Sequence, residues 1–423
     1  MALIDLFLSR RVKQGQLTVV HADGKRVTHG TPHIKFPDVT IRFADKGAAN
    51  YIVRNPAMGA AEAYMDGRLI VERGDIRDLV NLLTANDPWE AGANALVPSR
   101  GRRMFQAVTH RINRVNMARR SKNNVAHHYD LSDRLYDLFL DADRQYSCAY
   151  FRDPGNSLEE AQADKKVHIA AKLALKPGMR VLDIGCGWGG MALWLNETAG
   201  VEVLGVTLSE EQIKVARRRA EEAGAADKVK FELIDYRAVT GQFDRIVSVG
   251  MFEHVGPAHY RTFFAKCRDL MTPDGVMLMH TIGRMGGPGV TDDFTLKYVF
   301  PGGYNPALSE ITRGYEGLRL FPTDVEILRV HYALTLDHWY ERTVAARSAI
   351  VAMYDERFYR MWQFYLAGAG AAFRHGGLCN YQVQLSRSRL EVPLTRDYIA
   401  RAEHSYNSRR DALTAEIPQP TVG

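Results

Sequence analysis

Cysteine and long apolar runs are both scarce in this sequence. Its four cysteines are widely separated among 423 residues, which argues against a disulfide framework and against a zinc site built on paired cysteines. No run of about 18 apolar residues occurs, so we expect no membrane-spanning helix. These absences favour a protein of a reducing compartment, and the expected location is the cytoplasm.

Acidic residues are missing from positions 91–129, although the chain contains 49 of them and has a net charge of +6. Apolar residues recur in this stretch at helical spacing, beginning with Met104 and Phe105. One interpretation is a solvated connector helix. The other is a basic amphipathic surface that contacts anionic phosphate, in lipid headgroups or in nucleic acid. Charge alone leaves both interpretations open.

Turn residues and changes of pattern divide the chain into four parts. Residues 1–90 are predicted to form a small α+β domain, with lipid association as one hypothesis, and residues 91–126 a basic linker or helix. Between residues 127 and 400, helices alternate with short apolar strands, which predicts a parallel α/β sheet. Residues 401–423 are predicted to be a C-terminal tail. Within the first domain, the pattern predicts strands at 17–20, 25–27, 39–43, 50–53 and 68–71 and helices at 58–65 and 75–83.

The most informative motif is the glycine-rich segment at 180–190, RVLDIGCGWGG. Residues 181–184 have the pattern of a buried strand, and Gly185 and Gly187 turn the chain sharply where the backbone approaches a ligand. This spacing alone fits NAD and S-adenosylmethionine alike. Asp183, at the end of the strand, suits a ligand with a positively charged amino group and would repel a pyrophosphate. The motif therefore indicates S-adenosylmethionine.

Further strands at 201–206 and 229–234 end in residues that suit the same cofactor. Thr207 and Gln212 are candidates for its ribose and methionine side, and Ser209 with Gln212 is predicted to form a capping box. Asp235, followed by Tyr236, is placed to accept a hydrogen bond from the adenine amino group. Because ligands of such folds bind beyond the carboxyl ends of the strands, these side chains are expected to lie together. The remaining strands are predicted at 245–249 and 276–280.

Several segments outside the glycine loop carry a more specific pattern. They are HYDLS at 128–132, QYSCAYF at 145–151, VGMFEHVG at 249–256, HTIG at 280–283, KYVFPG at 297–302, HY at 331–332 and WYER at 339–342. Together they closely resemble the cyclopropane-fatty-acid-phospholipid synthase family and its mycolic acid cyclopropane relatives, over roughly residues 123–390. The resemblance implies a Rossmann-like class I methyltransferase sheet with helices on both faces, which extends over 127–400.

The resemblance also implies a reaction. Family members methylate the cis double bond of a phospholipid acyl chain, and a base then removes a proton from the new methyl group as the cyclopropane ring closes. In the family this base is bicarbonate, held by residues that correspond to Cys148, Glu253, His280, Ile282 and Tyr332. The motif at 145–151 places Tyr146 and Ser147 against the cofactor. Neither a metal nor a redox cofactor is expected.

The implied partners are an unsaturated phospholipid acyl chain and the anionic inner face of the membrane, where the protein would be peripheral; a homodimer is a further expectation, and nucleic acid is not an expected partner. Some members have a cysteine once proposed as a nucleophile, but Ala369 stands at that position, which excludes a covalent cysteine there. His254 is an alternative to His280 as the functional histidine.

Aromatic faces stabilise cations, and the chemical half of the chain contains many aromatic residues. Candidates for stabilising the cationic intermediate are Tyr129, Tyr146, Trp188, Phe252, Tyr298 and Tyr332.

Alternative functions remain open. Within the same family, a fatty-acyl methyltransferase would leave a methyl or methylene branch instead of a ring. A nucleic-acid methyltransferase would use the basic stretch on phosphates, but the Asn/Asp-Pro-Pro-aromatic motif frequent in enzymes that methylate base amino groups is replaced by Gly250-Met-Phe-Glu-His. A non-catalytic lipid-binding protein is disfavoured by the intact glycine loop.

Overall fold

The computed structural model describes residues 2–56, 58–92 and 133–415. Most of the basic stretch, the motif at 128–132 and Tyr129 therefore lie outside the described residues. Within the described ranges, no helix combines the length and the apolar character needed to cross a membrane.

The described strands and helices are numbered in chain order. The strands are β1 (Leu17–Val20), β2 (Arg26–His29), β3 (Val39–Phe43), β4 (Leu69–Arg73), β5 (Arg180–Ile184), β6 (Glu202–Thr207), β7 (Val229–Leu233), β8 (Phe243–Val249), β9 (Met271–Arg284), β10 (Phe321–Leu328) and β11 (Leu378–Ser386). The helices are α1 (Leu3–Arg11), α2 (Lys46–Arg54), α3 (Gly59–Met65), α4 (Ile76–Ala85), α5 (Asp133–Phe139), α6 (Leu158–Leu173), α7 (Gly190–Ala199), α8 (Glu210–Glu222), α9 (Tyr260–Leu270), α10 (Leu308–Tyr315), α11 (His331–Ala345), α12 (Arg347–Met353), α13 (Glu356–Arg374) and α14 (Asp397–Ala415).

The first four strands form a mixed sheet in the order β2-β1-β3-β4. The strand predicted at 50–53 is wrong, because these residues belong to helix α2. Asp45 caps this helix by accepting hydrogen bonds from the N–H groups of Gly47 and Ala48, at 2.7 and 2.9 Å. The sequence analysis also missed α1, whose Ile4 and Leu8 are buried one turn apart.

The remaining strands form a seven-stranded sheet in the order β10-β11-β9-β8-β5-β6-β7 within the described residues. Strands β5 to β9 pair in parallel, whereas β11 pairs antiparallel with both β9 and β10 and alone runs in the opposite direction. The predicted Rossmann-like α/β sheet is confirmed. The strand order reverses between β5 and β8, and ligands of open α/β sheets bind at such a switch point.

Helix α13 packs against both α3 and α4 of the N-terminal unit and against α11. Tyr64 donates a hydrogen bond to Gln363 on α13 at 3.1 Å, and Lys297 donates to Glu62 at 2.8 Å. Buried apolar side chains of the two parts belong to one core cluster. The N-terminal unit therefore forms a continuous core with helices of the larger domain, chiefly α5, α11 and α13.

Helix α14 spans Asp397–Ala415 and so includes the first part of the predicted C-terminal tail. Tyr406 is buried on this helix and packs edge-on against Trp194. His168 on α6 hydrogen-bonds Glu403 at 2.5 Å. These contacts hold α14 against the outside of the α/β layer.

Candidate active site

Two cavities adjoin at the carboxyl ends of the parallel strands. The first lies at the glycine loop and is lined by the predicted cofactor residues Tyr146, Ser147, Asp183, Gly185, Gly187, Thr207, Gln212, Asp235 and Tyr236. The second has a volume of about 580 Å³ and is lined by the predicted catalytic residues Cys148, Glu253, His280, Ile282 and Tyr332. Tyr146, Ser147, Gly250 and His254 line both, so the cavities meet at these residues.

Asp183 is a buried carboxylate that lacks a full set of partners. It is 2% exposed, and its Oδ2 atom has no hydrogen-bond partner among the described residues. Burial raises the pKa of Asp183 to about 7, although the nearby Lys165 ammonium opposes this effect. A ligand ammonium group would supply the missing hydrogen bond and stabilise the ionised form. This orphaned oxygen fits the amino group of S-adenosylmethionine.

The glycine loop leaves room for a ligand against its backbone. Gly187 has a φ of +55°, which disfavours a side chain, and an added β-carbon would meet no atom of the described residues within 4 Å. At Gly185, with φ of +85°, an added β-carbon would come within 2.9 Å of the Met251 side chain. A side chain at Gly187 would therefore project into the cofactor cavity. A side chain at Gly185 would displace Met251, which lines the same cavity.

The strand-end residues already interact with one another. The Thr207 hydroxyl donates to Gln212 Oε1 at 3.2 Å. Ser209 accepts from the Gln212 N–H at 3.3 Å, so the helix cap is confirmed, but the Gln212 side chain turns to Thr207 rather than completing a capping box. Asp235 is ion-paired with Arg237. Burial would raise the pKa of Asp235, but the hydrogen bonds from Arg237 outweigh it and the pKa is lowered.

Glu253 is the most buried carboxylate of the second cavity. Its Oε1 accepts the Ile282 N–H at 2.6 Å, while its Oε2 has no partner within the described ranges. Burial raises the pKa of Glu253 to about 7, against the opposing hydrogen bond from Ile282. The carboxyl group can therefore gain or lose a proton near neutral pH.

His280 lies level with the end of β8, opposite Val249, although β9 continues beyond it to Arg284. Its Nδ1 is 3.2 Å from the Gln382 amide nitrogen and its Nε2 is 3.4 Å from that of Asn380. Burial, reinforced by nearby cations, lowers the pKa of His280 to about 3. A neutral imidazole has one N–H and one lone pair. One of the two amides must therefore present its oxygen to the ring.

The alternative histidine, His254, lines both cavities, and burial lowers its pKa to about 4. Cys148 is buried and donates to the Ala149 carbonyl at 3.3 Å. Burial raises the pKa of the Cys148 thiol, which keeps it neutral. The second cavity thus holds a neutral imidazole at each histidine and a neutral thiol.

The predicted aromatic candidates divide between cavity and core. Tyr146 and Tyr332 line the second cavity, and Trp188 lines the first. Phe252 instead stacks on Tyr260 inside the core. Tyr298 donates to Glu62 at 2.9 Å, at the contact with the N-terminal unit. Neither Phe252 nor Tyr298 lines either of these two cavities.

The buried polar residues that hold the segment at the junction of the two cavities were not predicted from the sequence. Lys165 is fully buried and donates to Gln145 Oε1 and to the Ser147 hydroxyl, both at 2.8 Å. Gln162 donates to the carbonyls of Gln145 and Ser147, at 3.1 and 3.0 Å. Burial lowers the pKa of Lys165 to about 8. No signal in the sequence distinguishes Gln162 and Lys165, because helix α6 carries several other polar residues.

Asp183 provides a direct test of the cofactor cavity. Asp183→Asn should weaken binding of S-adenosylmethionine by about ten- to a hundredfold, because it removes a charge-assisted hydrogen bond. In the parent, ionisation of a carboxyl with a pKa of about 7 should make affinity rise as pH increases from about 6 to about 7, where the ligand amino group is still protonated. Calorimetry with S-adenosylmethionine at both pH values measures the affinity of the parent and of the variant. An unchanged affinity in Asp183→Asn would remove Asp183 from the site, as would a pH dependence equal to that of the parent.

Comparison with known proteins assigns both parts of the chain. Residues 116–383 match the family model described as mycolic acid cyclopropane synthetase. Residues 5–88 match a family described as a domain of unknown function. The first match covers more than half of the chain and contains all of the cavity residues predicted from the sequence.

Individual relatives agree with this assignment. The cyclopropane-fatty-acyl-phospholipid synthase of Escherichia coli (strain K12) is 39% identical over 347 residues, 82% of this chain and 87% of the relative. The tuberculostearic acid methyltransferase UfaA1 of Mycobacterium tuberculosis is 34% identical over 404 residues, 91% of each chain. The structure of the mycolic acid cyclopropane synthase CmaA1 complexed with SAH and CTAB has a TM-score of 0.60 and 34% identity, and covers 63% of this chain and 98% of that one. This chain therefore belongs to the mycolic acid cyclopropane synthetase family of S-adenosylmethionine-dependent methyltransferases.

Proposed function

We propose that the protein transfers a methylene unit from S-adenosylmethionine to the cis double bond of an unsaturated phospholipid acyl chain and closes a cyclopropane ring. The observation that carries the proposal is the junction of the two cavities at Tyr146, Ser147, Gly250 and His254. A cofactor held through Asp183 and a chain lying beside Glu253 would meet there. Bound S-adenosylmethionine would supply an electrophilic methyl group on a sulfonium.

The second cavity suits a weak, apolar nucleophile. An alkene must be held close to the methyl group and away from competing water. Apolar and aromatic side chains provide such walls, among them Leu336, Phe364 and Tyr365. Aromatic faces such as those of Tyr146 and Tyr332 stabilise positive charge that develops on the chain. These residues support positioning of the alkene and stabilisation of the developing charge.

Ring closure requires a base for one proton of the transferred methyl group. We propose bicarbonate for this role, held by Cys148, Glu253, His280, Ile282 and Tyr332. The unpartnered Oε2 of Glu253 supports the fit. In its ionised form, the Glu253 carboxylate, whose pKa is about 7, can accept a hydrogen bond from the bicarbonate hydroxyl and would take over that proton as bicarbonate removes one from the methyl group. The Ile282 N–H already binds Glu253, so its contribution is to orient that carboxyl group.

A membrane surface is the proposed place of action, since an acyl chain must leave a bilayer to enter the cavity. The acid-free stretch at 91–129 supports peripheral binding to anionic lipid on the cytoplasmic side, where basic residues are attracted to the surface. A homodimer remains part of the proposal. The N-terminal unit is proposed to assist lipid binding.

The second candidate is a fatty-acyl methyltransferase that leaves a methyl or methylene branch. The observation that favours it is the 34% identity to a tuberculostearic acid methyltransferase over 404 residues. Both candidates share the cofactor cavity and the acyl chain. They differ in what happens to the chain after methyl transfer.

Removal of a residue that holds the base should affect turnover more than cofactor binding. Glu253→Gln keeps an oxygen for the Ile282 N–H but cannot take up a proton, so turnover should fall about a hundredfold or more. His280→Ala should likewise lower turnover more than it lowers the affinity for S-adenosylmethionine. Turnover on unsaturated phospholipid vesicles and calorimetry with S-adenosylmethionine separate the two effects; near-parental turnover in either variant would place the base elsewhere.

Proton NMR of the lipid product distinguishes the two candidate functions. After incubation of unsaturated phospholipid vesicles with enzyme and S-adenosylmethionine, we expect upfield cyclopropane ring protons and loss of the olefinic signal. A methylene branch would instead show vinyl protons, and a saturated methyl branch a new methyl doublet. Either of those products without ring protons would overturn the ring-forming assignment while the methyltransferase assignment stands.

A further inference from the structure

The N-terminal unit contributes directly to the wall of the second cavity. Helix α4 packs against α13, and Val80 and Thr84 of α4 line the cavity together with Gly368 and Ala372 of α13. We name the part of the cavity between these four residues the α4–α13 chamber. The match to the cyclopropane synthetase family begins only at residue 116, so α4 adds a wall that lies outside the matched part.

Gly368 is unusual in its surroundings. Glycine in the interior of a helix destabilises it relative to alanine, yet Gly368 lies well inside the 19-residue helix α13. A β-carbon added there would meet no atom within 4 Å in the described part of the chain. The missing side chain therefore leaves open space inside the cavity rather than allowing a close helix contact.

Gly370 on the same helix has a different environment. It does not line the cavity, and an added β-carbon would lie 3.8 Å from the Leu336 β-carbon, an ordinary packing distance. The two glycines share a helix and a sequence context. They differ in whether they face the chamber, so Gly370 provides a matched control.

The chemistry of the chamber favours an apolar occupant. Val80, Gly368 and Ala372 present only hydrocarbon or backbone. The charged residues that the N-terminal unit contributes to the lining of the second cavity, Arg11 and Asp87, form an ion pair at 3.0 Å with side chains only 7% and 9% exposed. Because these two charges neutralise each other, the N-terminal side of the cavity offers no net charge to an ionic ligand.

We propose that the α4–α13 chamber holds one portion of the acyl chain and that Gly368 sets the bulk of the chain that the enzyme accepts. The inference rests on the proposed function, since the occupant is a continuation of the chain whose double bond lies beside Glu253. An internal double bond requires room for hydrocarbon on both of its sides. The N-terminal unit therefore acts as a determinant of substrate selectivity.

Narrowing the chamber should change selectivity for acyl length without changing cofactor binding. In Gly368→Leu, and in Val80→Phe from the opposite wall, the ratio of turnover on an 18-carbon monounsaturated phospholipid to that on a 14-carbon one should fall about tenfold or more. Gly370→Ala should keep the parental ratio. Calorimetry with S-adenosylmethionine should give parental affinity for every variant and shows that each is folded.

A second measurement separates this inference from the proposed function. A fluorescent 18-carbon acyl probe should bind the parent and Gly370→Ala, and should bind Gly368→Leu and Val80→Phe about tenfold more weakly. If the parent modifies lipids but both narrowed variants keep its chain-length ratio and probe affinity, the inference is overturned and the proposed function stands. If the parent modifies no lipid yet the narrowed variants lose probe affinity, the α4–α13 chamber is supported as an acyl-binding site and the proposed function is overturned. A parent that neither modifies lipids nor binds the probe overturns both.

Discussion

Burial of ionisable groups with incomplete hydrogen bonding is the constraint on which this site depends. Asp183 and Glu253 each keep one carboxylate oxygen without a partner in the described residues, and burial raises the pKa of each to about 7. An unsatisfied buried polar atom costs about 1–3 kcal/mol. The rest of the fold must offset that cost, and it does so through the rigid parallel sheet and the continuous core that reaches into the N-terminal unit. A ligand bound beside either oxygen would supply the missing hydrogen bond.

The same burial explains how acid–base and apolar chemistry coexist in one cavity. The imidazole of His280 and the thiol of Cys148 are held neutral by their surroundings, so neither would add a charge beside the proposed alkene. Buried Lys165 holds the segment at the junction of the two cavities through Gln145 and Ser147. Helix α4 of the N-terminal unit lines the second cavity as well, although it lies outside the part of the chain that matches the family.

The sequence predicts those parts of the site that depend on local signals. The sequences of strands β5 to β8 are short apolar runs followed by turn residues. Asp183 and Thr207 could therefore be placed at strand ends from the sequence alone. The strand predicted at 50–53 was wrong because β-branched and aromatic residues there favour a strand. These residues instead belong to a helix that Asp45 caps. The partners of His280 on β11 could not be predicted, because an antiparallel strand about a hundred residues away pairs through non-local contacts. The role of α4 depends on packing between two units and has no local signature.

The central claim is that the junction of the two cavities brings a methyl group to an alkene and a base to that methyl group. Incubation with S-adenosylmethionine carrying a trideuterated methyl group, followed by mass spectrometry of the phospholipid, tests it most directly. The account predicts a lipid that gains one carbon and two deuterium atoms, because one deuteron is removed as the ring closes. Retention of all three deuterium atoms, or label that never reaches the lipid, would contradict it.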